Sequence, residues 1–169
     1  VVVSVDFSGS MRELRAKMAI AAVAEATKTI GDDFAAVTWT YNADFKNEED
    51  RYRNELVTAP DEEFEYEHLD AVRTDGTTPT ANGMRFAHRV ARDMHNREKV
   101  VLVVTDGKPN ELLDGGDSNA GERFERYYDA DRDDYLNPYA EEAREQVTAA
   151  RANGIRVIRV GVRTSINAG

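Results

Sequence analysis

The sequence predicts an α/β fold: three layers, α/β/α, around a mainly parallel central sheet with one antiparallel edge strand. Strand-like runs alternate with helical stretches, which requires crossover connections and a parallel sheet with helices on both faces. The runs Val1–Asp6 and Lys99–Thr105 are almost continuously apolar, the pattern of strands covered on both sides. At 169 residues the chain suits a single domain over residues 1–169, too short for two well-formed cores.

Each element has its own signal. After Val1–Asp6, a helix is predicted from Met11 to about Ile30, with Leu14, Met18, Ala22 and Ala26 at i, i+4 spacing and Gly31 as its stop. Phe34–Tyr41 is β-branched and aromatic and reads as the second strand. Glu55–Ala59 reads as a short edge strand ended by Pro60. Asp61–Asp70 is acidic, with Phe64, Tyr66 and Leu69 as anchors, and has no clear periodicity. Loop chemistry at Thr74–Thr80 precedes a helix over about Ala81–His95 with Met84, Ala87, Ala91 and Met94 on one face. Glu111–Tyr135 reads as a long polar loop. Asn137-Pro138 opens a last helix that buries Ala143, Val147 and Ala150, and Asn153-Gly154 closes it before the strand Ile155–Val160.

Charge narrows the function. With 22 Lys and Arg against 32 Asp and Glu, the net charge is −10, which repels nucleic acid and anionic membrane surfaces. No apolar run is long enough to cross a membrane. The absence of Cys excludes disulfides, a thiol nucleophile and Cys-ligated zinc. Arg outnumbers Lys 17 to 5, and the acidic surface fits a salt-loving source and a fold that gains stability as salt screens its self-repulsion.

Ligands of open α/β sheets bind outside the carboxyl ends of the strands. Asp6, Ser8 and Ser10 follow the first strand, Asp106 follows Lys99–Thr105, and Thr77 and Thr78 lie just before a helix. All are oxygen donors. Hard oxygen ligands with few charges suit Mg²⁺ or Mn²⁺. Alternation in Asp-x-Ser-x-Ser turns three side chains inward, and Gly9 lets the backbone pass closely. Taken singly, each part has a plainer reading. Ser10 and Glu13 form a Ser-x-x-Glu capping box, Thr77 and Thr78 fit a turn, and Asp106-Gly107 fits an ordinary turn aspartate.

Together, Asp6-Phe7-Ser8-Gly9-Ser10, Gly76-Thr77-Thr78-Pro79 and Thr105-Asp106-Gly107 resemble the three parts of the metal-ion-dependent adhesion site of von Willebrand factor A (VWA) domains. The resemblance implies a Rossmann-like sheet, with Asp6, Ser8, Ser10, Thr78 and Asp106 holding a divalent cation. It implies binding to a protein that presents an Asp or Glu to the ion, with Phe7, Thr77, Lys108, Asn110 and Glu111 facing that partner. Val101–Asn110 is similar to the intracellular branch, which includes accessory subunits of cobalt and magnesium chelatases and nitric-oxide-reductase activation proteins. That implies an AAA+ ATPase partner and a cytoplasmic location, with a cell-surface adhesion domain as the alternative. The family has a further strand and helix after the equivalent of Ile155–Val160, so the chain reads as a piece of a longer protein.

Enzyme readings fare worse. A haloacid-dehalogenase-type phosphatase needs a carboxylate two residues after its nucleophile, and Ser8 holds that position. Gly-x-Ser-x-Gly and a Lys-bearing phosphate loop are absent. Asp129, Asp131 and Asp133 alternate like a calcium loop, but Asp134 and Ala140 stand where it needs Gly and Glu. His68, His88 and His95 lack zinc spacing, and Trp39 reads as core.

Overall fold

The computed structural model describes residues 1–42, 52–70, 72–106, 128–129, 134–135 and 138–162. The main sheet has five strands: β1 (Val2–Asp6), β2 (Ala35–Tyr41), β3 (Tyr52–Thr58), β4 (Lys99–Thr105) and β7 (Ile155–Gly161). Their spatial order is β3-β2-β1-β4-β7. β1 pairs in parallel with β2 and β4, and β4 in parallel with β7. β3 joins β2 antiparallel, which makes it the antiparallel edge the sequence predicts. β5 (Tyr128–Asp129) and β6 (Asp134–Tyr135) form a separate antiparallel pair within the stretch read as a loop. The remainder of that stretch, with Glu111, Asp131 and Asp133, lies outside the described residues, as do Lys108 and Asn110 before it.

Among the described residues three helices flank the sheet: α1 (Glu13–Ile30), α2 (Thr80–Asp93) and α3 (Pro138–Ala152). Because strand side chains alternate, the central strands feed two cores. Val2, Val37, Trp39, Val101, Val103 and Ile155 meet Met84, Ala87, Ala91 and Met94 on the α2–α3 face. Val3, Val5, Phe7, Ala36 and Val104 meet Met11, Ala16, Ile20 and Leu69 on the α1 face. Trp39 is fully buried, and its indole N–H donates to Ser4 Oγ at 2.9 Å, which satisfies its one polar atom. Gly83 of α2 lies against that ring, and a Cβ there would fall 2.3 Å from Trp39 Cγ. At the edge strand β7, Ile158 and Val160 are exposed.

The first helix departs from the sequence reading in both start and phase. Gly9–Met11 forms a 3-10 turn, and Arg12 at φ 58° separates it from α1. α1 therefore begins at Glu13, and Ser10 supplies no helix cap. Its buried row is Ala16, Ile20, Ala24 and Thr27, while Leu14, Met18, Ala22 and Ala26 face solvent. An alanine-rich helix offers more than one apolar stripe, and the one with the smaller side chains faces the sheet. Gly31 ends α1 as expected, in the left-handed region at φ 69°, with its N–H bonded to the Lys28 carbonyl. Tyr66–Leu69 is a 3-10 turn. Of the three anchors predicted for Asp61–Asp70, Leu69 is buried, Phe64 stacks edge-on against Phe34, and Tyr66 is exposed.

Candidate functional site

The carboxyl ends of β1 and β4 lie side by side, since the two strands pair through Val5 and Val104. That adjacency brings together residues almost a hundred positions apart. Asp6 is completely buried at the end of β1. Its carboxylate accepts the Ser8 backbone N–H at 2.8 Å and the Thr105 hydroxyl at 2.7 Å. Ser8 Oγ and Ser10 Oγ are 3.2 Å apart, and the Ser10 hydroxyl donates to Asp106 Oδ1 at 2.9 Å. Four of the five predicted ligands thus form one hydrogen-bonded array: Asp6, Ser8, Ser10 and Asp106.

Thr78 arrives on a neighbouring loop tied to this array by the backbone. Gly9 N–H donates to the Gly76 carbonyl, Asp75 N–H to the Phe7 carbonyl, and Phe7 N–H to the Trp39 carbonyl. Tyr41 and Thr77 exchange backbone hydrogen bonds, so the end of β2 also holds the loop. Thr78 is buried, two residues ahead of α2. The glycine this geometry demands is Gly76, not Gly9. Gly76 has φ 66°, and a Cβ there would fall 1.8 Å from the Tyr41 carbonyl oxygen. A Cβ on Gly9 would meet only an ordinary contact at 3.8 Å.

Two expectations fail here. Phe7 is 1 % exposed and its ring packs into the α1-side core, so its side chain cannot meet a partner. The capping-box reading of Ser10 also fails, because its hydroxyl donates to Asp106 and α1 begins after Arg12 with no side-chain cap. Thr77 is half-buried, with its hydroxyl 3.4 Å from the Tyr41 carbonyl oxygen. Sequence reasoning quoted Thr105 within the motif and gave it no role, yet it is a direct partner of Asp6. Period-2 alternation was the available signal: Val103 faces the core, so Thr105 turns the same way at the strand's end.

The electrostatics favour a cation. Burial pushes the Asp6 carboxyl above its ordinary value, hydrogen bonds from Ser8 and Thr105 pull it back, and the negative charge of Asp106 pushes it up again. Asp106 Oδ2 is buried with no hydrogen-bond partner. Two carboxylates beside hydroxyls, one carboxylate oxygen orphaned, form a donor set that fits a hard divalent ion. Among the described residues no three His, Cys, Asp or Glu cluster, so hydroxyl oxygens would complete any coordination.

With this geometry in view, the solved structures are informative. The chain is similar to the pilus adhesin SpaC from Lactobacillus rhamnosus GG at TM-score 0.65 and 18% identity, over 95% of this chain and 23% of that one. It is similar to the vWF domain of the type V pili tip protein Mfa5 from Porphyromonas gingivalis at TM-score 0.64 and 15% identity, over 99% and 82% of the two chains. The VWA domain of SpRpn10 aligns at TM-score 0.50 and 8% identity, over 95% and 86%. The fold is that of a VWA domain. No family model and no curated protein matches the sequence. The VWA fold of this chain spans about a quarter of the SpaC adhesin.

Proposed function

We propose that this VWA-fold chain is a non-catalytic, divalent-cation-dependent protein-binding domain. The observation that carries the proposal is the array Asp6–Ser8–Ser10–Asp106 at adjoining strand ends, with Asp106 Oδ2 buried and unpartnered. Asp6 and Asp106 would bring negative charge to Mg²⁺ or Mn²⁺, directly or through water, and Ser8, Ser10 and Thr78 neutral oxygens. A bound ion would supply a positive charge only partly neutralised by the protein, open to a partner's Asp or Glu. The protein's own contribution is positioning: Gly76 and the β2 end hold the Thr78 loop, and Thr105 fixes the Asp6 carboxylate.

Resemblance at Val101–Asn110 to the chelatase-associated branch favours an AAA+ ATPase as the partner. The solved neighbours, at 8–18% identity, speak for the fold alone.

Titration calorimetry with MgCl₂ tests the site. Asp106→Ala should weaken binding at least about tenfold, the loss expected on removing a charged ligand. Circular dichroism should be unchanged, since Asp106 belongs to neither core cluster. Equal affinities in the two proteins would refute the assignment. A protein partner captured in Mg²⁺ should be released by EDTA and lost with Ser8→Ala plus Ser10→Ala. Capture that is indifferent to both would refute ion bridging.

A further inference from the structure

A second feature lies on the α2–α3 face of the sheet, separate from the oxygen-donor array. A cavity of about 300 Å³ opens between α2, α3 and the carboxyl halves of β4 and β7. Its walls are apolar: Met84, Val103, Val147 and Val157. Thr80, at the start of α2, also lines it. Thr80 is 8 % exposed, and its Oγ1 is buried without a hydrogen-bond partner. A buried hydroxyl with no partner is costly unless something in the cavity bonds to it.

The remaining polar lining is Thr105 and two arginines. Arg144 of α3 and Arg159 of β7 both border the cavity. β7 alternates, so Arg159 stands on the same face as Ile155 and Val157, which belong to this core. Arg144 pairs with Glu141 one turn earlier on α3. A guanidinium has five N–H donors, so that pair leaves capacity for a second carboxylate. Arg144 and Arg159 thus bring guanidinium N–H donors to the mouth of an otherwise largely apolar cavity.

We propose that this cavity binds a short amphipathic carboxylate, on the order of ten non-hydrogen atoms, as its small volume allows. The hydrocarbon body lies against Met84, Val103, Val147 and Val157. The carboxylate takes the Thr80 hydroxyl proton as a hydrogen bond and the guanidiniums of Arg144 and Arg159 as counter-charges. The site does not depend on the metal reading, although Thr105 borders both regions.

Sodium octanoate is a suitable probe, with octan-1-ol and octylammonium chloride as neutral and cationic controls, all in EDTA so that no metal contributes. Methionine-methyl NMR gives a local readout, since Met84 lines the cavity and Met18 is exposed on α1 at the other face. Octanoate should shift the Met84 methyl saturably and leave Met18 unmoved. Octan-1-ol should bind about tenfold more weakly, and octylammonium more weakly still. Thr80→Val, which keeps the volume and removes the hydroxyl, should lower octanoate affinity about tenfold. Arg159→Gln should bring octanoate toward the alcohol's affinity, and Ala143→Phe should fill the space and abolish both. Absence of a saturable Met84 shift in the wild-type protein overturns the proposal. So does equal affinity for all three probes, or octanoate binding unchanged in Thr80→Val and Arg159→Gln, two variants that leave the apolar walls intact.

Discussion

Eight of the 14 residues of α2 are buried, against four of the 18 in α1. Both helices cover the same sheet, one on each face. α2 is covered twice, by the sheet below and by α3 beside it. α1 meets the sheet with a row of mostly small side chains and leaves Leu14, Met18 and Ile30 exposed. The difference matters for function because α2 begins two residues after Thr78, while the chain enters α1 through a 3-10 turn and a left-handed Arg12. A helix fixed on two sides can hold the proposed ligand loop in place, whereas one fixed on a single side chiefly closes the core.

The largest expected effect comes from breaking the tighter side. Gly83→Ala puts a methyl group inside the Trp39 ring and should cost about 3 kcal/mol or more, because neither α2 nor the buried indole has room to move. Mg²⁺ affinity should fall with it, as Thr78 loses its anchor. Urea denaturation and calorimetry on the same protein check both, and a stable variant would mean that α2 is not held as described. Ile20→Ala on the α1 side should cost roughly 2–3 kcal/mol through the cavity it leaves, with Mg²⁺ affinity retained. Equal loss of affinity in the two variants would erase the contrast between the helices.

Asp6 ends β1 on the same face as Val2 and Ser4. Its carboxyl is held above the ordinary value of 3.8, so the native state favours the protonated form. In EDTA the resulting destabilisation should be absent below that value and grow as pH rises through the raised one. Asp6→Asn should therefore match the wild-type stability near pH 3.8 and exceed it by an amount that grows up to the raised value and is constant beyond it. Urea midpoints across that window check this, and a difference independent of pH would count against it. The smallest effect belongs to the exposed stripe. Leu14→Gln with Met18→Gln should change stability by no more than about 0.5 kcal/mol, whereas an α1 buried in the phase its i, i+4 pattern suggests would lose several.

Those last two residues show where sequence reading fails. The stripe Leu14, Met18, Ala22, Ala26 has proper helical spacing, yet Ala16, Ile20, Ala24, Thr27 has it too. Periodicity cannot choose between two apolar rows on an alanine-rich helix. The match is much better for α2, where Met84, Ala87, Ala91 and Met94 are all buried as their spacing predicts, because Arg and His occupy the opposite side. Among the site residues, Asp6, Ser8, Ser10 and Asp106 were legible as polar groups at strand ends. Phe7 was misassigned because a motif position does not say which way a side chain points.

The sequence by itself determined the alternation of strands and helices, the buried strands β1 and β4, and an acidic chain with oxygen donors after those strands. These are local properties, written in hydrophobic period, glycine position and side-chain chemistry. Tertiary structure alone decided the phase of α1, the demand for glycine at Gly76, the Thr105–Asp6 hydrogen bond, and the cavity walled by α2, α3, β4 and β7. Each of these joins residues far apart in the chain. Gly76 must lack a Cβ because the Tyr41 carbonyl lies against it, and Asp6 meets Thr105 because β1 and β4 pair in parallel. Contacts of that kind follow from how elements are placed against each other, which no local pattern of residues encodes.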